Sequence, residues 1–201
     1  VYENILDDFQ EGRTDILIGT QMVSKGLDFD RVSVVGILQA DSIMSYPDFR
    51  ATERGFQLME QVAGRAGRKD LQGTVIIQTR QPDVPVMDMV RSNDYTGFYK
   101  SQMEERNAFC YPPYSRLVTA ILKGHDPAAV EHAAQLMSKE LVQGFGHENV
   151  LGPDAPPVSR IQYQHIRRII VKIPLEMTVG KSRSMLNRAT ESLISRSGIN
   201  G

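Results

Sequence analysis

The length, composition and charge of the chain are those of an ordinary globular protein. Its 201 residues, 41% hydrophobic and 23% charged, can bury a core and exclude disorder over the whole length. The net charge of −1 excludes a uniformly basic surface, and the single cysteine excludes an internal disulfide or a cysteine-rich zinc site within these residues. Because no apolar run approaches the length of a membrane span, we expect a cytoplasmic protein with no membrane partner.

The first half of the chain has the pattern of a parallel α/β sheet. Residues 2–9 place apolar side chains at helical spacing and predict a helix. Short apolar runs predict buried strands at 14–20, at 32–38 and at 73–79. Between the last two, a helix is predicted to begin at Pro47-Asp48. Strand, helix and strand at these lengths predict a parallel sheet with crossover helices.

The second half predicts a separate, smaller domain. A connecting helix at 94–109 and an extended stretch at 110–114 mark the change, because residues before proline are disfavoured in helices. The elements predicted beyond it are a strand at 116–124, a helix at 126–143, a proline-rich turn at 150–157, one or two strands at 161–173 and a helix at 181–194. This order predicts an α+β fold of the split β-α-β kind. We divide the chain into domains at residues 1–105 and 106–201.

Positive charge is concentrated near one end of the chain. Between Val158 and Arg188 the only acidic residue is Glu176, whereas the basic residues are Arg160, Arg167, Arg168, Lys172, Lys181, Arg183 and Arg188. This segment is a candidate anion-binding surface. A solvated strand or helix face explains the same pattern equally well.

Two segments of the first half carry candidate chemistry. Residues 19–29 (GTQMVSKGLDF) follow a predicted strand, where open α/β sheets place ligand contacts. Residues 61–68 (QVAGRAGR) hold Arg65 and Arg68 three positions apart. Guanidinium groups bind phosphate oxygens bidentately and stay protonated, so such a pair suits the charge of a transferring γ-phosphoryl group. A glycine-broken helix end with basic residues explains the second segment when it is taken alone.

Together the two segments resemble motifs V and VI of superfamily 2 nucleic-acid helicases. Residues 40–54 (ADSIMSYPDFRATER) lie between them and residues 110–116 (CYPPYSR) lie beyond them. This combination is similar to the PriA family of bacterial replication-restart helicases, over nearly the whole chain. The resemblance implies part of a RecA-like, parallel-sheet helicase lobe followed by the small α+β domain. It also implies an ATP-dependent DNA translocase that recognises abandoned replication forks.

The resemblance further implies which cofactors belong to the chain. In such motors ATP lies between two RecA-like lobes, and the first lobe carries the phosphate loop and the acidic pair that holds Mg²⁺. Neither motif occurs in these 201 residues, so we expect ATP and Mg²⁺ to be bound mainly by another lobe, and the chain alone to be inactive. Zinc is expected in the full-length protein only, with none in this chain.

The resemblance assigns roles to individual residues of the first domain. Arg65 and Arg68 would be arginine fingers that reach the γ-phosphate from the second lobe. Gly26, Asp28 and Gln61 are assigned to the nucleotide site, with Gln61 at the contact between the lobes. Thr20, Gln21 and Lys25 would lie near the DNA backbone or couple the two sites.

For the second domain the resemblance implies binding to branched DNA and to partner proteins. Arg160, Arg167 and Arg168, interleaved with Tyr163 and His165, would contact phosphates and stack on an exposed base. Lys181 and Arg183 would bind an acidic peptide tail, such as that of single-stranded-DNA-binding protein. Forked DNA and primosome proteins are the expected partners.

Two other functions fit the same residues. The chain could belong to a related superfamily 2 translocase of branch migration or transcription-coupled repair, which shares both motifs. It could also be a non-catalytic DNA-binding or docking module that retains a relic lobe. The segment at Tyr111-Pro112-Pro113 and the small end domain favour the replication-restart interpretation.

Overall fold

The computed structural model of the chain describes residues 2–20, 32–64, 66 and 73–197. The chain separates into two units, Val1–Gln102 and Met103–Gly201, which we call unit 1 and unit 2. Within the described ranges no helix has both the length and the apolar character needed to cross a membrane.

A parallel pair of strands joined by helices organises unit 1. Its elements are α1 (Tyr2–Gln10), β1 (Val34–Ile37), α2 (Ala40–Met44), α3 (Ala51–Ala63), β2 (Thr74–Ile77) and α4 (Pro85–Arg91), followed by α5 (Tyr95–Ala108), which continues into unit 2. β1 and β2 pair in parallel, with Val34 opposite Thr74 and Ile37 opposite Ile77. This confirms the predicted parallel sheet with a helical crossover.

One face of α3 supplies the centre of the unit 1 core. Phe56 and Met59 lie one turn apart on that face and are almost completely buried. The ring of Phe98, from α5, stacks on Phe56 with the ring centroids 4.0 Å apart. The other buried residues of this cluster are Ile37, Ala40, Val86, Met87 and Val90.

Two expectations for unit 1 were wrong. Residues 14–20 are not a strand: Ile16 and Ile18 are 75% and 87% exposed, and β1 and β2 pair only with each other among the described residues. An apolar run forms a strand only where a neighbouring strand supplies hydrogen bonds. The crossover helix begins at Ala51 rather than Pro47, because the Asp48 carboxylate accepts from the Arg50 amide (3.0 Å) in a turn that precedes it.

Unit 2 is built around a central antiparallel strand. Its elements are β3 (Ser115–Gly124), α6 (Pro127–Phe145), a short 3₁₀ helix (His147–Asn149), β4 (Val150–Asp154), β5 (Arg160–Ile161), β6 (Gln164–Pro174) and α7 (Val179–Ser197). β6 lies between β3 and β4 and is antiparallel to both. β3 and β4 therefore run in the same direction and are joined through α6, which confirms the predicted split β-α-β fold.

Alternate residues of β6 form the core of unit 2 against its helices. Ile169, Val171 and Ile173 point to one face and are almost completely buried. They pack in one cluster with Leu141, Phe145, Val150 and Ala189. α6 begins where it was predicted, because the Asp126 carboxylate accepts from the Ala128 amide at 2.9 Å and caps the helix.

Two expectations for unit 2 were also wrong. Residues 150–154 form the strand β4 rather than a turn, since an edge strand with a bulge tolerates Pro153. Residues 110–114 form a turn rather than an extended stretch. Cys110 has a φ of 51°, and the Tyr114 amide donates to the Tyr111 carbonyl at 2.9 Å.

Candidate nucleotide and nucleic-acid sites

The carboxyl ends of β1 and β2 meet at one edge of the unit 1 sheet, the edge at which open α/β sheets bind ligands. Asp41 follows β1, and its carboxylate accepts from the Thr79 hydroxyl (2.7 Å) and the Arg80 amide (2.9 Å), both just beyond β2. The hydrogen bond from Thr79, and then that from Arg80, hold the pKa of Asp41 below its usual value. The ionised Asp41 thus links the first turn of α2 to the loop that follows β2.

Sequence reasoning assigned no role to Asp41. An acidic residue just after a predicted buried strand is the signal that could have singled it out. Its partners come 38 and 39 positions later, so the bridge itself is visible only in the fold.

The predicted nucleotide contacts begin at the end of α3. Gln61 lies in its last turn and is exposed, and Gly64 is the residue that caps the helix. Arg65 and Arg68 lie outside the described residues. Thr20 is described and exposed, whereas Gln21, Lys25, Gly26 and Asp28 also lie outside the described residues.

The structure places two members of the predicted basic run in ion pairs on opposite faces of the unit 2 sheet. The Arg167 Nε lies 2.5 Å from the Glu131 carboxylate of α6, and its hydrogen bond lowers the pKa of Glu131. Arg168 points to the other face, as neighbouring strand residues do. Its guanidinium donates to both carboxylate oxygens of Asp154, at 2.7 and 3.3 Å. The two arginines therefore do not form one continuous patch.

A third basic residue of the segment is buried. Lys172, on the same face as Arg168, is 8% exposed, and its ammonium donates to the Phe109 carbonyl at 2.6 Å. The ammonium also lies 4.2 Å from the centre of the Tyr111 ring. Lys172 thus attaches the turn after α5 to the sheet.

Arg160 lies in the hairpin formed by β5 and β6. It is exposed, and its guanidinium carbon lies 5.6 Å from the centre of the Tyr163 ring. His165 pairs with Arg160 across this hairpin.

The predicted partner-binding residues lie in the first two turns of α7. Lys181 and Arg183 are both exposed. Arg183 borders an open groove of about 400 Å³ whose other lining residues are Gly180, Ser184, Asn187, Arg188 and Glu191.

Metal-ligating side chains do not cluster in the described ranges. Among residues 2–20, 32–64, 66 and 73–197, no group of three or more His, Cys, Asp or Glu side chains could hold a metal ion.

Two protein families match successive parts of the chain. Residues 2–70 match the helicase conserved C-terminal domain, and residues 107–199 match the primosomal protein N C-terminal domain.

Individual relatives carry the name "Replication restart protein PriA". The protein of Bacillus subtilis (strain 168) is 39% identical over 176 residues, which are 87% of this chain and 22% of the relative. Those of Synechocystis sp. (strain PCC 6803) and Treponema pallidum (strain Nichols) are 39% and 38% identical over 85% and 86% of this chain, and over 21% and 26% of their own lengths. The chain spans between about a fifth and a quarter of the length of these relatives. It belongs to the PriA family, with a helicase C-terminal region in unit 1 and a primosomal C-terminal domain in unit 2.

Proposed function

We propose that the whole protein is an ATP-dependent DNA helicase that restarts stalled replication forks and assembles the primosome in the cytoplasm. The observation that carries the proposal is the order of the two family matches along one chain. The parallel sheet of unit 1 and the split β-α-β fold of unit 2 support it. The chain contributes part of the second motor lobe and the C-terminal domain, and the division between them falls at residues 105 and 106.

In this proposal unit 1 completes a nucleotide site that another lobe begins. Arg65 and Arg68 contact the γ-phosphate and stabilise the charge that develops during its transfer. Gly26, Asp28 and Gln61 lie at the nucleotide. Because these residues supply neither a phosphate loop nor an acidic pair, ATP and Mg²⁺ are held mainly by the other lobe, and the 201-residue chain alone is inactive. Zinc belongs to a cysteine-rich region elsewhere in the whole protein.

Forked DNA is bound by both units in this proposal. Thr20, Gln21 and Lys25 contact the backbone in unit 1. In unit 2 Arg160 is the main phosphate contact, because the carboxylates of Glu131 and Asp154 compete with phosphate for Arg167 and Arg168.

A partner protein docks on unit 2 in this proposal. The exposed Lys181 and Arg183 attract an acidic peptide tail, such as that of single-stranded-DNA-binding protein, and the groove beside Arg183 has room for one or two of its side chains. Primosome proteins are further partners.

The motor role is tested in the full-length protein by Arg68→Ala. We expect ATP turnover on forked DNA to fall about 10³-fold, the scale of an arginine finger. The ATP turnover of Arg68→Lys should fall almost as far, because an ammonium lacks the planar fork of a guanidinium. Arg91→Ala, which removes an exposed arginine of α4, is the control and should leave turnover unchanged. Near-normal turnover of Arg68→Ala would contradict its assigned role.

The DNA role of unit 2 is tested with the 201-residue chain and fluorescein-labelled forked DNA. Fluorescence anisotropy should show weak binding whose affinity falls as the salt concentration rises, because bound phosphates release counterions. Arg160→Ala should weaken this binding and reduce its dependence on salt. Binding that does not depend on salt, or no binding at low salt, would contradict the proposal.

A further inference from the structure

The hairpin between β5 and β6 has an unusual tip. Arg160 pairs with His165 and Ile161 with Gln164, which leaves Gln162 and Tyr163 as the two residues of the turn. Both have positive φ, 48° and 66°. Two-residue turns of this type favour Asn and Gly, because other side chains are strained in the left-handed region. A tyrosine at this position is therefore costly for the fold.

Burial of the ring does not offset this cost. Among the described residues of unit 2, Tyr163 is the most exposed large hydrophobic residue at 78%, and Val158 and Ile161 in the same segment are also exposed, at 60% and 48%. Glycine would relieve the backbone strain and lose almost no packing. Because packing of the ring does not compensate for the strained backbone, the tyrosine indicates a role in binding.

The chemistry of the tip indicates what it binds. The Arg160 guanidinium carbon lies 5.6 Å from the centre of the Tyr163 ring, so an aromatic surface and a cation are presented together. No acidic residue occurs between Ala155 and Leu175. A ligand with a flat aromatic face next to a negative charge fits this surface, and an unpaired base with its phosphate has both features.

We propose that Tyr163 is a stacking platform for an unpaired base of DNA, with Arg160 contacting the phosphate of the same or the next nucleotide. This inference rests on the proposed DNA-binding function of unit 2 and names the contact that would distinguish single-stranded from fully paired DNA. Tyr163 needs only its ring for this role, and the hydroxyl is dispensable.

The test uses the 201-residue chain and two labelled DNAs, a fork with a single-stranded arm and a blunt duplex of equal length. Tyr163→Gly should weaken binding to the fork about tenfold, the usual scale for the loss of one stacked base. Its thermal midpoint should equal or exceed that of the unchanged chain, since glycine relieves the strained turn. Tyr163→Phe should bind as the unchanged chain does, and affinity for the blunt duplex should be the same for all three.

Tyr114→Ala is a matched control. Tyr114 is exposed and precedes Ser115, which pairs with Pro174 at the opposite end of β6. That end is about 30 Å from the hairpin tip at the usual rise of a strand. This variant should bind the fork normally.

A direct readout comes from Tyr163→Trp, because the chain contains no tryptophan. The fork should quench the fluorescence of this indole and the blunt duplex should not, since stacking needs an unpaired base. The stacking platform alone would be overturned if Tyr163→Gly bound the fork as tightly as the unchanged chain does. Equal quenching by the two DNAs would overturn it in the same way. Failure of the unchanged chain to bind the fork at low salt would overturn the DNA role of unit 2 as well.

Discussion

At the scale of single residues, the charges of unit 2 are more extensively paired than the sequence indicates. Arg167 with Glu131 and Arg168 with Asp154 join residues 36 and 14 positions apart, and Lys172 reaches a carbonyl 63 positions away. Composition identified this segment as basic. Which of its charges are engaged depends on the register of β6 and could not be read from the residue order.

The ion pair of Glu131 predicts a dependence of stability on pH. The hydrogen bond from Arg167 lowers the pKa of Glu131 below its usual 4.5, so the folded state binds protons less readily than the unfolded state. The ion pair stabilises the fold fully above pH 4.5, and this stabilisation is lost as the pH falls through the lowered pKa of Glu131. Glu131→Gln should therefore have a lower thermal midpoint than the unchanged chain at neutral pH, with a difference that shrinks in acid.

The control for this prediction is Glu104→Gln, at an exposed position of α5. Its midpoint should stay close to that of the unchanged chain. A difference for Glu131→Gln that stays constant from neutral pH into acid would show that the pair does not contribute through its charge.

Substitution of Lys172 by methionine should destabilise the fold while most of the packing is kept. Lys172→Met keeps most of the buried stem but removes the donor to the Phe109 carbonyl and the charge beside Tyr111. The free energy of unfolding, measured by urea denaturation, should fall by about 1.5–3 kcal/mol, the range for a hydrogen bond of a charged group. Lys123→Met, at an exposed position of the neighbouring strand β3, should change it little. Equal effects of the two substitutions would exclude a specific role for the Lys172 ammonium.

At the scale of elements, the sequence predicted those whose signals are local. Asp126-Pro127 marks the start of a predicted helix that the structure places at Pro127. The wrong predictions concern residues whose conformation depends on distant partners. Residues 14–20 have strand composition but no paired neighbour among the described residues, and residues 150–154 have turn composition but pair with β6. The site motifs were singled out from local residue order, and the roles of their residues stay a prediction.

The bulge in β4 contains Gly152, a position at which the backbone requires glycine. Gly152 has a φ of +100°, and a Cβ there would lie 2.6 Å from the Arg168 carbonyl oxygen. Gly152→Ala should lower the thermal midpoint clearly, because the strand must move away from β6 or the residue must adopt another conformation. Gly180→Ala is the control, since a Cβ at that position of α7 meets nothing within 4 Å. A midpoint for Gly152→Ala as high as that of Gly180→Ala would contradict the close approach.

At the scale of the whole molecule, each unit has its own buried cluster, centred on Phe56 in unit 1 and on Ile169 in unit 2. We therefore expect residues 103–201 to fold without unit 1 and to show one cooperative thermal transition by circular dichroism. Ile169→Ala in this fragment should lower the free energy of unfolding by about 2–5 kcal/mol, as for other fully buried isoleucines. A fragment that unfolds gradually, without a transition, would contradict the division into two domains.

The edge position of β4 bears on self-association. An edge strand with free amide and carbonyl groups can recruit a strand from another molecule and so begin aggregation. β4 lies at one end of the order β3-β6-β4, but Pro153 contributes no amide hydrogen and the bulge between Leu151 and Asp154 interrupts its regular ladder. This border of the sheet is thus a poor template for the addition of a strand from a second copy.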